Sequence, residues 1–337
     1  MAYDPSQLYI DPILTGFSTG FQEQNLYAER LSPPTRVNTK SGRYRVFDRS
    51  NWLIYRSRRE PGTSAREIGP RKWSEDTFST QQHALKGRVT DEERRELTSQ
   101  GGLADPVFGG ALQIDPERDV VEDETRSLLL EQEKKVADAF RNTANYAGGF
   151  TTALAGAAKW SDYTGGTSST SNPVSDIRAA CFKIYGATGR WPNTMAIPVD
   201  ALGVIEQHPR VVDRFKNFAL TDPGAWKSLI NVPAPENFFI VESKYNTAQN
   251  VYAAESIVSF WGQDVWIGLV DPQEGQKTKT FAKTFIYPQP DGSIRAADRW
   301  RDEDTRSDMF RTTYEYDLKV VSNVAGYLIQ TAVAQLV

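Results

Sequence analysis

Residues 119 to 146 read DVVEDETRSLLLEQEKKVADAFRNTANY. Val121, Thr125, Leu128, Leu129, Gln132, Val136 and Phe140 recur at steps of three and four, which predicts a helix with one mostly apolar stripe. Acidic Glu122, Asp123 and Glu124 fall in its first turns and Lys134, Lys135 and Arg141 in its later ones, the order that suits the helix dipole. Gly148-Gly149 is expected to end it. At about 1.5 Å per residue such a helix is roughly 40 Å long, enough to act as a spine.

Charge divides the chain on the amino-terminal side of this spine. From Asp91 to Glu133 there are thirteen acidic residues and four arginines, a net of −9. From Lys40 to Glu75 there are ten positive residues and four negative, a net of +6. This basic segment holds strand-like pieces at Tyr44–Phe47 and Trp52–Tyr55, and Glu60-Pro61-Gly62-Thr63 is a turn signal. With too few apolar residues for a core of its own, it is expected to form a long two-stranded projection. Before it, Pro5, Pro12, Pro33 and Pro34 alternate with Tyr3, Tyr9, Phe17, Phe21 and Tyr27. That composition predicts an extended arm, lying on its own subunit or on a neighbour, with one short helix near Phe21–Arg30.

On the carboxyl-terminal side, a Gly/Ser/Thr/Ala-rich connector runs from Gly148 to Asn172. Asn172 is placed to cap a helix opening on Pro173, with Val174, Ile177, Cys181 and Ile184 buried and an end at Gly186 or Gly189. A strand at Thr194–Pro198 and two short helices split by His208-Pro209 follow. Strands are expected at Asn237–Val241, at Asn250–Ala254, and within Ile257–Val270 around a break at Gly262. Thr278–Tyr287 is another extended run, and Val324–Val333 closes the chain as an apolar segment. Between Thr313 and Val320 the alternation is strict, with Tyr314, Tyr316, Leu318 and Val320 on one side, which predicts a strand with one wet face.

A chain of 337 residues with 39% hydrophobic and 24% charged residues is long enough for about two globular domains. The net charge of −4 argues against a protein that coats nucleic acid, because phosphate binding rests on clustered Lys and Arg. The lone cysteine, Cys181, excludes an intrachain disulfide and suits a reducing cytoplasm. No apolar run approaches the roughly 18 residues of a membrane span, and the first residues lack the pattern of a signal peptide.

The inventory for catalysis is thin. His208 precedes Pro209 at a helix break, which suits a cap or packing role, and His83 sits in a polar stretch where solvation is expected. Cys181 falls on an apolar helix face as a small core residue. Two histidines and one cysteine far apart cannot supply the usual zinc spacing. No phosphate loop, dinucleotide fingerprint or serine-hydrolase elbow is present. Gly186-Ala187-Thr188-Gly189-Arg190 lacks the Lys-Ser/Thr ending and follows a helix where a strand is required. Acidic Glu122-Asp123-Glu124 and Asp302-Glu303-Asp304 are better read as solvated or interface faces than as Mg²⁺ or Ca²⁺ ligands. Arg56-Ser57-Arg58-Arg59, beside Trp52 and Tyr55, favours a protein partner over nucleic acid. No catalytic, cofactor or metal residue is expected.

The order of parts resembles the major capsid proteins of tailed bacteriophages, whose fold is shared with encapsulin shells. The likeness covers most of the chain. Its most specific stretch runs from Asn172-Pro173-Val174-Ser175-Asp176-Ile177 through Arg190-Trp191-Pro192-Asn193-Thr194-Met195-Ala196-Ile197 to His208-Pro209-Arg210-Val211-Val212-Asp213. Phe260-Trp261-Gly262-Gln263-Asp264-Val265 is similar to the Trp-Gly-x-Asp-Val run that starts the family's return strands. The resemblance implies an α+β chain with an arm (1–39), an extended loop (40–90), a peripheral domain (91–171 and 257–322, spine 119–146) and an axial domain (172–256 and 323–337).

It also implies copies of one protein gathered as pentamers and hexamers into an icosahedral virion shell. The shell would be assembled in the bacterial host cytoplasm around double-stranded DNA, without sequence-specific binding. Implied partners are a separate scaffolding protein, a portal and a decoration or cement protein. The family's Lys–Asn isopeptide trio has no match here, so non-covalent shells are expected. The charge count adds a contact: the basic loop of one copy across the acidic spine of the next. Its expected residues are Arg43, Arg45, Arg49, Trp52, Arg56, Arg58, Arg59 and Arg66 on the loop, with Glu122, Asp123 and Glu124 on the spine. The alternatives are an encapsulin-like cargo compartment and, from another class, a cytosolic α+β enzyme.

Overall fold

The computed structural model describes residues 9–21, 25–47, 57–59, 61–62, 64–65, 67, 73–100, 115–164, 166–168, 170–215, 237–248, 254–272 and 279–334. The chain opens with strand β1 (Tyr9–Ile10) and helix α1 (Pro12–Gly20). Asp11 caps α1, its carboxylate accepting from the amides of Ile13 and Leu14 at 2.9 and 3.2 Å, and Pro12 takes the first helical position. Helix α2 (Ala28–Leu31) and strand β2 (Pro34–Arg36) follow. Of the one helix expected near Phe21–Arg30, only its end is helical, as α2; Phe21 is the residue after α1, and residues 22–24 lie outside the described residues.

Strands β3 (Ser41–Phe47) and β4 (Trp73–Ser79) pair antiparallel from Ser41↔Ser79 to Phe47↔Trp73. This is the stem of the expected projection. Its return strand is β4, whereas the Trp52–Tyr55 run lies outside the described residues. Pro61-Gly62 forms a turn in which Gly62 takes a φ of +87°, a conformation that glycine adopts without steric cost. Strand β5 (Gln81–Thr90) runs into helix α3 (Asp91–Gln100) through a reciprocal cap. There the Thr90 amide donates to Glu93 at 2.9 Å and the Glu93 amide to the Thr90 hydroxyl at 3.2 Å.

The spine is helix α4 (Pro116–Arg141), 26 residues and about 39 Å long. It begins before Asp119 because Asp115 caps it and Pro116 occupies its first position. It ends at Asn142, short of Gly148-Gly149, because the Asn142 side chain accepts from the Ala144 amide at 3.0 Å and turns the chain into a short 3₁₀ segment. Strand β6 (Thr151–Ala153) and helix α5 (Pro173–Thr188) come next, α5 capped by Asn172 and closed by left-handed Gly189 at φ +65°. Then follow β7 (Thr194–Pro198), α6 (Val199–Gln207), α7 (Pro209–Phe215), β8 (Asn237–Val241) and β9 (Lys244–Asn246). The last third is β10 (Ile257–Ser259), β11 (Val265–Gly268), β12 (Ala282–Ile286), β13 (Arg295–Asp302), β14 (Ser307–Val320) and β15 (Gly326–Gln330). Of the strand expected at Asn250–Ala254, residues 250–253 lie outside the described residues and Ala254 is not in a strand.

Two sheets organise this α+β fold. The first has the order β1-β13-β14-β12-β2, with β5 also paired to β14 from Thr90↔Ser307 to Gln81↔Tyr316. The described arm thus lies on its own subunit, through β1 on β13 and β2 beside β12. The second has the order β6-β15-β11-β7-β8 and draws residues 151–153 and 265–268 into one sheet with 194–198. In the first sheet the wet face expected for β14 is not wet at its middle: Thr313 and Glu315 are buried as fully as Tyr314 and Tyr316. A central strand has the spine on one side, while the base of the projection supplies Lys40 and Thr80 to Glu315 on the other.

The two halves meet at the carboxyl end of the spine. Phe140, fully buried, sets its edge against Trp261, Trp266 and Phe281 at centroid distances of 5.8, 4.7 and 4.9 Å. Gly326 lets these rings close over the second sheet, since a Cβ there would come within 2.6 Å of the Phe281 ring. Phe140→Ala should destabilise the subunit by about 3–5 kcal/mol, read as a lower urea midpoint of the unassembled protein. An unchanged midpoint would show that this cluster does not hold the halves together.

Candidate assembly surface

The root of the projection is built to be stiff. Tyr44 and Phe78 pack on Phe285 at centroid distances of 5.3 and 4.8 Å, and the Tyr44 hydroxyl donates to Asp76 at 2.7 Å. Glu315 accepts from Lys40 at 3.2 Å and from the Thr80 hydroxyl at 3.1 Å, and the Ser79 amide donates to Asp317 at 2.8 Å. The direction in which the loop leaves the subunit is therefore set by the sheet beneath it. Arg43, on β3, is exposed and meets Glu75 across the hairpin at 3.3 Å, a contact of about 0–1 kcal/mol at most in solvent. Arg45 lies on the same strand in register with Glu75. Arg58 and Arg59 are exposed, and Arg49, Trp52, Arg56 and Arg66 lie outside the described residues.

On the spine the three expected acids do not share a face. Asp123 is exposed and Glu122 half-buried, but Glu124 points inward. Its carboxylate accepts from the Thr312 amide at 2.9 Å and the Thr312 hydroxyl at 2.8 Å, and burial pushes its carboxyl above the usual range. Successive helical residues turn by about 100°, so a run of three cannot point one way. Glu124 is thus removed from the outward acidic set.

Other acids of the −9 segment are also engaged within the subunit. Glu117 and Asp308 share Arg94 and Arg299 at 2.6–3.2 Å, and Asp91 holds Arg301 at 2.7 Å. His83 is not solvated as expected. It lies against the Tyr316 ring, with Lys135 at 3.1 Å and Glu131 at 3.4 Å, and burial together with the Lys135 ammonium holds it below its ordinary pKa. His208 does take a capping role: it is fully buried, meets the Ser171 hydroxyl at 3.1 Å and accepts from the Arg210 amide at 3.2 Å. Cys181 is buried and its thiol is pushed up to about 12.

Glu133 was not singled out by the sequence pattern, yet three parts of the chain converge on it. One oxygen accepts from the amides of Tyr27 and Ala28 at 2.9 and 2.6 Å, capping α2 where Tyr27 offers no side-chain cap. The other accepts from the Ser243 hydroxyl at 3.4 Å and the Trp261 indole at 3.3 Å. Burial raises its carboxyl, and the four donors favour the charged form in return. The only signal in the sequence was an acid at the inward edge of an apolar stripe.

The surface is thus a stiff basic projection, an arm fastened to the spine, and a compact second sheet. No family model matches the chain. It is 24% identical over 323 residues to the major capsid protein of Burkholderia phage BcepMu, across 95% of each chain. A crystal structure of a phage-related protein from Bordetella bronchiseptica superposes with a TM-score of 0.70 at 23% identity, over 96% of this chain and 97% of that one. The chain is thus similar from end to end to a phage major capsid protein and has the fold of a phage-related protein. The capsid structure of cyanophage P-SCSP1u shares the fold at a TM-score of 0.54 and 10% identity, over 92% and 89% of the two chains. Among the described residues no helix is long and apolar enough to cross a membrane, and no group of His, Cys, Asp or Glu gathers as metal ligands.

Glu133 is the fastening of the arm. Glu133→Ala should speed limited proteolysis on the amino-terminal side of Leu31 and lower the urea midpoint by an amount equivalent to about 2–4 kcal/mol. Wild-type cleavage kinetics would mean that the arm is held elsewhere.

Proposed function

We propose that this chain is a major capsid protein that forms an icosahedral shell of pentamers and hexamers around double-stranded phage DNA, with the projection of one copy lying on the spine side of the next. The observation that carries the reading is the end-to-end match to a phage major capsid protein. A shell-forming role follows from that match and the shared fold, and it places the protein in the virion. DNA as contents, rather than the protein cargo of an encapsulin-like compartment, is favoured because the named relative belongs to a phage. A separate scaffolding protein, a portal and a decoration or cement protein complete the proposed partners, with assembly in the host cytoplasm.

The peripheral unit in this proposal is the first sheet with the spine, and the axial unit is the second sheet with α5, α6 and α7. Strands β6 and β11 join the axial unit because they are hydrogen-bonded into its sheet. The loop contact uses exposed cations such as Arg58 and Arg59 against Asp119, Glu122 and Asp123, the outward acids of the spine. Each exposed pair is worth about 0–1 kcal/mol, so the pairs set register while apolar residues supply most of the adhesion.

Replacing Arg56, Arg58 and Arg59 together by Glu should leave the monomer's circular dichroism unchanged and abolish closed particles in electron micrographs. Normal particles would refute the loop-to-spine contact. Purified wild-type shells should run at monomer mass on a boiled denaturing gel; a ladder of multiples would reveal a covalent link.

A further inference from the structure

Two exposed surfaces of the axial unit are left unexplained by the loop contact. Helix α5 turns Phe182 and Tyr185 outward, 56% and 49% exposed, and both lean on Trp191 at centroid distances of 5.3 and 5.7 Å. Arg178 is exposed one turn before Phe182 on the same face, while Lys183 reaches over the Phe150 ring and Arg190 meets Asp271 at 3.5 Å. The one acid of α5, Asp176, is turned away to the Trp160 indole at 2.9 Å. This surface is aromatic and cationic.

Helix α6 is its chemical opposite. It carries Asp200 and Glu206 and no cation, and exposes both acids together with Val199. Gly203, one turn from Val199 and one from Glu206, has nothing within 4 Å of the place a Cβ would take, which leaves a notch on the helix. On the adjoining α7, Val212 is also exposed. Among the described residues neither Arg178, Asp200 nor Glu206 forms an ion pair.

The two surfaces sit over different halves of one sheet. Helix α5 packs over β11 and β15, whereas α6 packs over β7 and β8 at the far edge. Neither surface is complementary to itself, so the α5 surface of one copy is matched by the α6 surface of another. Where each copy engages two different neighbours in this way, the contact runs head to tail and closes into a ring if its rotation closes.

We propose that α5 of one copy docks on α6 of the next around the capsomer axis. Phe182 and Tyr185 lie over Val199 and the Gly203 notch, and Arg178 stands opposite Glu206. The aromatic pair anchors the contact and the charges choose its direction. This rests on the shell reading and names the surface that would make its rings.

The test is a charge swap. Arg178→Glu and Glu206→Arg, each alone, should keep wild-type circular dichroism and cut the yield of sedimenting particles about tenfold or more, because each reverses a charge at every contact of the ring. The double variant, with the charges exchanged, should recover most of that yield. Normal yield from both single variants, or a double variant no better than either, overturns the contact while leaving the shell reading intact. A shifted denaturation midpoint of monomeric Glu206→Arg with particles unaffected also overturns it, since α6 would then be covered by its own chain. Wild-type protein that forms no particle would overturn the shell reading and this contact with it.

Discussion

A single buried carboxylate holds the arm, the spine and the second sheet in one arrangement. Moving an ionised Glu out of water costs several kcal/mol, and Glu133 is fully buried. The cost is offset because four donors, from Tyr27, Ala28, Ser243 and Trp261, are already aimed at it by separate elements. Charge-assisted hydrogen bonds contribute roughly 1.5–3 kcal/mol each where geometry is good, so the junction is worth forming only when all the elements are in place. The Phe140 cluster, two turns along the same helix, supplies the non-directional part of the same joint. Packing brings the halves together, and Glu133 specifies how they meet.

Charge in this chain works at two depths. Glu124 and Glu117 are turned to partners inside the subunit, so they rigidify the sheet and helix that carry the projection. Asp119, Asp123, Arg43, Arg58 and Arg59 remain outside, where individual pairs are weak and directional preference is all they contribute. In the proposed shell a subunit has to be rigid within itself and reversible toward its neighbours during assembly. Dividing the acids between buried and exposed positions meets both demands.

Features set by local backbone chemistry are legible in the sequence. Asn172 with Pro173 and Gly189 bounded α5, the apolar run at 194–198 was a strand, and Gly262 marked a break. The spine was legible from its stripe, though its ends were not, because Asp115 and Asn142 cap it with side-chain geometry that period counting does not detect. The capping box at Thr90 and Glu93 was readable in principle but was hidden inside a segment viewed only as a charge run.

What alternation and charge counting missed was always a matter of what covers a residue. Glu315 alternates like a solvent-facing residue yet is buried beneath the root of the projection, and His83 sits in a polar run yet packs on Tyr316. Glu133 looks like one more acid of the spine until Tyr27 and Trp261, distant from it in sequence, are folded onto it. Helix α5, the body of the spine, the strand at 194–198 and the stem strand β3 are readable from the chain alone, because they depend on neighbours a few residues away. Long-range packing settles which acids face inward, how the arm is fastened and which helix faces stay bare. Those outcomes depend on contacts between residues a hundred or more positions apart, and no local pattern encodes them.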